Sequence, residues 1–151
     1  MHLTTKGKYA VVALLDLALN ESRFCFVSLS EVAKRQSIPA PYLEQLFRNL
    51  RKAEILEAVR GPKGGFRLSR SSKDINIGEI VSAVEKRMDA TQCRGEVNCS
   101  SGTVCLAHDL WTDLNNQVKN FLSSKSLNDI LVAQIDTNND SLTQEVLIAS
   151  G

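Results

Sequence analysis

At 151 residues, 43% of them hydrophobic, the chain can bury one small core and carry an extra helical arm. No apolar run approaches the roughly 18 residues needed to cross a bilayer, and the first residues lack the charged, apolar, then small-residue layout of a signal peptide. A cytoplasmic protein with no membrane partner is therefore expected. The net charge of +1 hides an asymmetry: residues 1–70 hold 12 Lys/Arg against 6 Asp/Glu, whereas residues 71–151 hold 6 against 11. A polyanion partner is expected for the first half only.

The first periodic segment runs from about Thr5 to Asn20, with Ala10, Ala13, Leu14, Leu17 and Ala18 at three- and four-residue spacing. It predicts an amphipathic helix with Lys6 and Lys8 at its start. After a loop through residues 21–27, Ser28-Leu29-Ser30-Glu31 reads as a capping box that opens a short helix to about Arg35. Pro41 then suits a first helical position, where its missing N–H is no loss. Leu43, Leu46, Phe47 and Leu50 follow at i, i+3, i+4 and i+7, a single buried stripe. The opposite face carries Tyr42, Glu44, Gln45, Arg48, Asn49, Arg51 and Lys52. A short helix, a tight turn and a second helix with a polar, basic outer face have the helix-turn-helix layout.

Two short β-type runs, around Ile55–Arg60 and Phe66–Ser69, flank Gly61-Pro62-Lys63-Gly64-Gly65. This is a hairpin signal, with Lys63 at the tip and Arg60 and Arg67 bracketing it. A hairpin directly after a helix-turn-helix is the wing of a winged helix. Ile77, Ile80, Val81 and Val84 mark a further helix that closes the domain. The expected fold is mainly α with a small β-hairpin wing: a winged helix-turn-helix DNA-binding domain over residues 1–88, followed by a long C-terminal dimerisation helix.

Periodicity lapses from Asp89 to about Thr103 and returns as Ala107, Leu110, Trp111, Leu114, Val118, Phe121 and Leu122. That stripe is too broad and apolar to find cover in one small chain, so pairing with a second copy is expected, through Leu110, Trp111, Leu114, Val118 and Phe121. Dimerisation helices are assigned to residues 107–135, with a short last helix from Ser126 to about Ala133, and a flexible tail to 136–151.

Two groups of residues carry chemistry. On the second helix of the motif, Gln and Arg are bidentate readers of base edges, and Lys reaches phosphate. The candidate contacts to double-stranded DNA are Lys6, Lys8, Tyr42, Glu44, Gln45, Arg48 and Arg51, with Arg60 and Lys63 from a wing thin enough to follow a minor groove. Glu44 is the odd member. A carboxylate is repelled by phosphate yet can accept from cytosine N4, so it reads either as a specificity device or as an acid favoured at a helix N-terminus.

The second group is Cys93-x5-Cys99-x5-Cys105-x2-His108, in a loop assigned to residues 89–106 and the helix that follows. Thiolates and imidazole suit iron–sulfur clusters or zinc. Structural zinc motifs usually place ligand pairs two to four residues apart; the wider gaps here, with Gly95, Ser100, Ser101 and Gly102 between, favour wrapping something bulkier. His108 stands one helical turn after Cys105, so both could face one metal centre. Zinc and unligated thiols stay open on spacing alone. No nucleophile–base pair, phosphate-cradling glycine loop or paired carboxylates argue for an enzyme.

Four segments together resemble a known family: Leu3-Thr4-x-Lys6-Gly7-x-Tyr9-Ala10, Tyr42-Leu43-Glu44-Gln45-Leu46-Phe47, Val59-Arg60-Gly61-Pro62-x-Gly64-Gly65, and the Cys/His set. They are similar to the IscR regulators, bacterial iron–sulfur cluster regulators of the winged-helix repressor type, over about residues 1–135. The resemblance implies a homodimer with one [2Fe–2S] cluster per protomer, held by Cys93, Cys99, Cys105 and His108. It also implies a repressor, able to activate at some sites, of genes for cluster assembly. DNA binding with and without the cluster is implied too, with Glu44 at a position tied to site preference and Arg60 contacting DNA. Cluster-donating scaffold proteins are further expected partners. The alternative is a winged-helix regulator that uses the same cysteines to sense nitric oxide or thiol redox state, or to hold zinc. His2 replaces a basic residue usual at that place, and Cys25 lies outside the motif as a buried or incidental thiol.

Overall fold

A computed structural model describes the backbone of residues 4–21, 25–86 and 105–149, and the side chains of these as far as residue 138. The described elements are α1 (Thr5–Asn20), α2 (Leu29–Gln36), α3 (Ala40–Lys52), β1 (Leu56–Val59), β2 (Gly65–Leu68), α4 (Ile77–Val84), α5 (His108–Ser124) and α6 (Leu127–Ala149). Among the described residues this is the expected mainly helical architecture with one β-hairpin.

Local chemistry explains each boundary. The Thr4 hydroxyl accepts from the Lys6 N–H at 3.2 Å and opens α1. Ser28 and Glu31 form the anticipated reciprocal cap of α2: the Glu31 N–H donates to the Ser28 hydroxyl and the Ser28 N–H to the Glu31 carboxylate. Ser37 ends α2 in the left-handed region, φ 54° and ψ 39°, which turns the chain sharply into α3. There Pro41 sits in the first turn, where its ring removes no helical hydrogen bond.

Leu43, Leu46, Phe47 and Leu50 from α3 are buried against Ala13, Leu14 and Leu17 of α1 and Ile80 and Val81 of α4. At about 25 cal/mol per Å² of apolar surface, burial of this kind is what holds the short helices together. β1 and β2 pair antiparallel, with Leu56 opposite Leu68 and Ala58 opposite Phe66. Phe66 lays its ring edge-on to Phe47, centroids 4.8 Å apart, and so joins the hairpin to α3.

The far side of β2 meets Val27, which exchanges both backbone hydrogen bonds with Phe66 at 2.9 and 2.7 Å. Gly65 permits this approach. Its φ is +153°, and a Cβ there would lie 2.5 Å from the Val27 carbonyl oxygen.

The two long helices are anchored through the turn between them. The Ile77 N–H donates to the Lys125 carbonyl at 2.8 Å and the Leu127 N–H to the Ile75 carbonyl at 2.9 Å; Leu127 itself is fully buried in the main core. Gly78 lets α4 and α5 cross closely, because a Cβ at that position would stand 2.6 Å from Ser123 Oγ.

One expected boundary is corrected. α6 does not stop near Ala133 but runs as helix to Ala149, through residues read from sequence as a tail. Apolar periodicity lapses there, but neither Gly nor Pro falls between Leu127 and Ala149, so nothing in the backbone chemistry ends the helix. Among the described residues no helix is long and apolar enough to cross a membrane.

Candidate nucleic-acid interface and metal centre

α2, the Ser37 turn and α3 place one face of α3 in the core and leave the other to solvent. Glu44, Gln45, Arg48, Arg51 and Lys52 are all exposed on it. Glu44 and Arg48, one turn apart, form a loose surface ion pair at 3.7 Å, a contact of small energetic weight. With Arg51 and Lys52 they line a groove of about 410 Å³ between α3 and the hairpin, floored by Phe47 and Phe66. Three cations and one carboxylate thus share a concave surface of the kind that receives a polyanion.

Arg60 and Lys63 are exposed beside the hairpin turn. Arg67, which the sequence placed with them, is used otherwise. Its guanidinium donates to Glu57 Oε2 from both Nε (3.2 Å) and a terminal nitrogen (3.0 Å), and it lies 4.8 Å above the Phe26 ring. It braces the base of the wing.

Lys6 and Lys8 are exposed on the first turns of α1, brought next to the start of α3 by an edge-on contact of Tyr9 with Tyr42, centroids 5.8 Å apart. Tyr42 is half-buried, and burial, then the Glu85 carboxylate and Tyr9, push its hydroxyl above the ordinary range. It stays a protonated donor.

Sequence reasoning missed three acids that hold this surface in place. Asp16 is buried in α1 and accepts from Arg35 Nε and NH2 and from the Gln36 amide at 2.7–3.1 Å, which locks α2 to α1. Burial alone would raise its pKa, but the hydrogen bonds and charge of Arg35 and the Gln36 contact together lower it. Glu85 accepts from the Thr4 N–H and Gly7 N–H at 3.1 Å each, and from the Thr4 hydroxyl, and so fastens the start of α1 to the end of α4. Glu21 accepts from the Leu68 N–H at 2.7 Å. A lone acid inside an apolar stripe, as at Asp16, was the only one of these signals visible in the sequence.

Of the four proposed metal ligands, Cys93 and Cys99 lie outside the described residues. Cys105 is a half-buried free thiol, and the His108 N–H donates to its carbonyl at 3.1 Å as α5 begins. Thiolate and imidazole are a donor set suited to iron or zinc, so this pair fits one end of such a site. Among the described residues no three His, Cys, Asp or Glu side chains converge as a metal site. Cys25 is an exposed free thiol, which leaves the incidental of the two readings given for it.

On α5 no residue is buried, and Leu110, Trp111, Leu114 and Phe121 are exposed. These and half-buried Val118 lie within an arc of roughly 100° on the helical wheel, while Leu122 turns toward the core.

The model of the Rrf2 family, described as an iron-dependent transcriptional regulator, matches residues 3–133. The chain belongs to the Rrf2 family. The HTH-type transcriptional regulator IscR of Vibrio atlanticus is 44% identical over 142 residues, which cover 94% of this chain and 79% of that protein. IscR of Vibrio cholerae is 46% identical over 132 residues, covering 87% and 76%. In three dimensions the chain is similar to T. potens IscR, with a TM-score of 0.70, 33% identity, and coverage of 89% of this chain and 88% of that one. As an Rrf2 member it is an IscR-like, winged-helix DNA-binding transcriptional regulator, not an enzyme.

Proposed function

We propose that this Rrf2 protein works as a homodimer whose choice of DNA sites depends on a [2Fe–2S] cluster, one per protomer, held by Cys93, Cys99, Cys105 and His108. In this reading it represses genes of iron–sulfur cluster assembly, activates at some sites, and receives its cluster from scaffold proteins. The observation that carries the reading is one chain joining the basic α3-and-wing groove to a three-Cys, one-His set whose last two members stand in the turn before α5 and at its first residue.

A thiolate set with one neutral imidazole carries less negative charge than four thiolates and holds its cluster less firmly, as suits a sensor. The exposed apolar arc of α5 supports pairing with a second copy, since a solitary chain would leave Leu110, Trp111, Leu114 and Phe121 in water. An adjoining apolar groove of about 720 Å³, lined by Phe121, Leu122, Ile130 and Ala133, continues that surface onto α6.

Lys6, Lys8, Tyr42, Gln45, Arg48 and Arg51 would meet the major groove and its phosphates, and Arg60 and Lys63 the adjacent minor groove. Glu44, free to leave its weak pair with Arg48, would set preference among sites. Anaerobic purification followed by iron and sulfide analysis, visible absorption and sedimentation tests the reading. Two irons and two sulfides per chain, lost in His108→Ala, are expected; colourless protein carrying stoichiometric zinc sinks it.

A further inference from the structure

The wing is a two-stranded ribbon, and such a ribbon has little stability by itself. Its outer strand, β2, therefore needs a partner on the side away from β1. In an antiparallel strand, alternate residues point their N–H groups to the same edge. Phe66 and Leu68 form such a pair on β2, since both face partners outside the hairpin.

The first of these donors is met by the Val27 carbonyl at 2.7 Å. The second is met by a side chain: Glu21, the residue that caps the C-terminal end of α1, extends its carboxylate to the Leu68 N–H at 2.7 Å. A side-chain oxygen thus stands where a strand carbonyl would.

The surroundings single out Glu21 among the acids near the hairpin. Glu57 is paired to Arg67 across the sheet, whereas Glu21 makes its hydrogen bond to backbone, 47 positions away in sequence. Burial pushes its carboxyl above the ordinary range, the Leu68 bond and the Arg67 charge act downward, and the Glu57 charge acts upward. A carboxylate kept in this setting against its desolvation cost has a positional use.

We propose that Glu21 is a positioning residue for DNA binding: as surrogate acceptor for Leu68 it fixes the angle of the wing against α1, and so the reach of Arg60 and Lys63. Lys6 and Lys8 ride on the same α1, so the latch sets wing cations and helix cations in one frame. This inference rests on the DNA-binding reading of the α3 and wing surface.

Reach and charge are separated by two variants. Glu21→Gln keeps an acceptor at the same distance but removes the charge; Glu21→Asp keeps the charge but withdraws the oxygen by one methylene. The probe is a 30-base-pair duplex selected from a random pool by the full-length chain, with affinity measured across salt concentration. We expect Glu21→Gln to bind within about twofold of the unaltered protein. Glu21→Asp should lose about tenfold, with a log–log salt slope shallower by about 1 as wing cations leave the phosphates.

In an Arg60→Ala/Lys63→Ala background, Glu21→Asp should cost nothing further. The reverse order, with Glu21→Gln weak and Glu21→Asp intact, overturns the latch, because charge and not reach would then matter. An equal loss in the background lacking wing cations also overturns it, by showing a general structural effect. Failure of the unaltered chain to select any duplex removes the DNA-binding reading itself, and the latch with it.

Discussion

Removal of the Asp16 carboxylate should loosen the whole reading head, and the size of the loss follows from the geometry. Asp16 is 4% exposed and receives three contacts from the Arg35 guanidinium and one from Gln36. Breaking a fully buried pair by deleting one partner costs about 3–5 kcal/mol. Here the Arg35 side chain is 37% exposed and can recover water, which discounts the loss to about 2 kcal/mol for Asp16→Ala.

Asp16→Asn should be no milder, since its amide would turn a donor toward the Arg35 or Gln36 donors. The pH dependence gives the check. The folded pKa of Asp16 is depressed, burial being outweighed by Arg35 and Gln36, so its contribution is present above the unfolded value of about 3.9. It is lost as pH falls through the folded value. Urea unfolding of both proteins from pH 7 to pH 3 should show a gap widest at neutral pH that narrows below about pH 4. A loss under about 0.5 kcal/mol at pH 7, or a gap constant down to pH 3, would refute the assignment of stability to this carboxylate.

Other perturbations test separate links. Gly65→Ala, whose Cβ would press on the Val27 carbonyl, should destabilise by about 2 kcal/mol and loosen β2 amides in hydrogen exchange; normal protection there would contradict the close approach. Gly78→Val should force α4 from α5 at Ser123 and lower the melting temperature by several degrees, roughly 5 °C. Arg60→Ala should weaken DNA binding and flatten its salt slope by about 1, and an unchanged slope would take the wing out of the contact. Glu44→Ala should widen the range of duplexes selected from a random pool, whereas an unaltered selection removes its role in site preference. Leu114→Glu should shift the chain to monomer in sedimentation if α5 pairs two copies, by placing a charge within the apolar arc.

Local patterns in the chain carry most of the fold. The Ser28–Glu31 cap, the Leu43–Leu50 stripe and the Gly/Pro turn each depend on residues within a few positions of one another, and so α2, α3 and the hairpin could be placed from them. The stripe on α5 likewise announced an unpaired apolar face. α6 was cut short because apolar spacing is a signal of burial, and a helix continues on backbone chemistry alone where no breaker intervenes.

Only the tertiary structure decided which charges serve the surface and which serve the frame. Arg60 and Arg67 look alike in sequence, seven residues apart around one turn, yet Arg67 is consumed by Glu57 and Phe26 while Arg60 faces solvent. Asp16, Glu21 and Glu85 find their partners 19, 47 and 81 positions away. No local pattern encodes such pairs. They exist because packing brings the middle of α1 against α2, its C-terminal end against the wing and its start against the end of α4, and polar groups drawn out of water there must find partners.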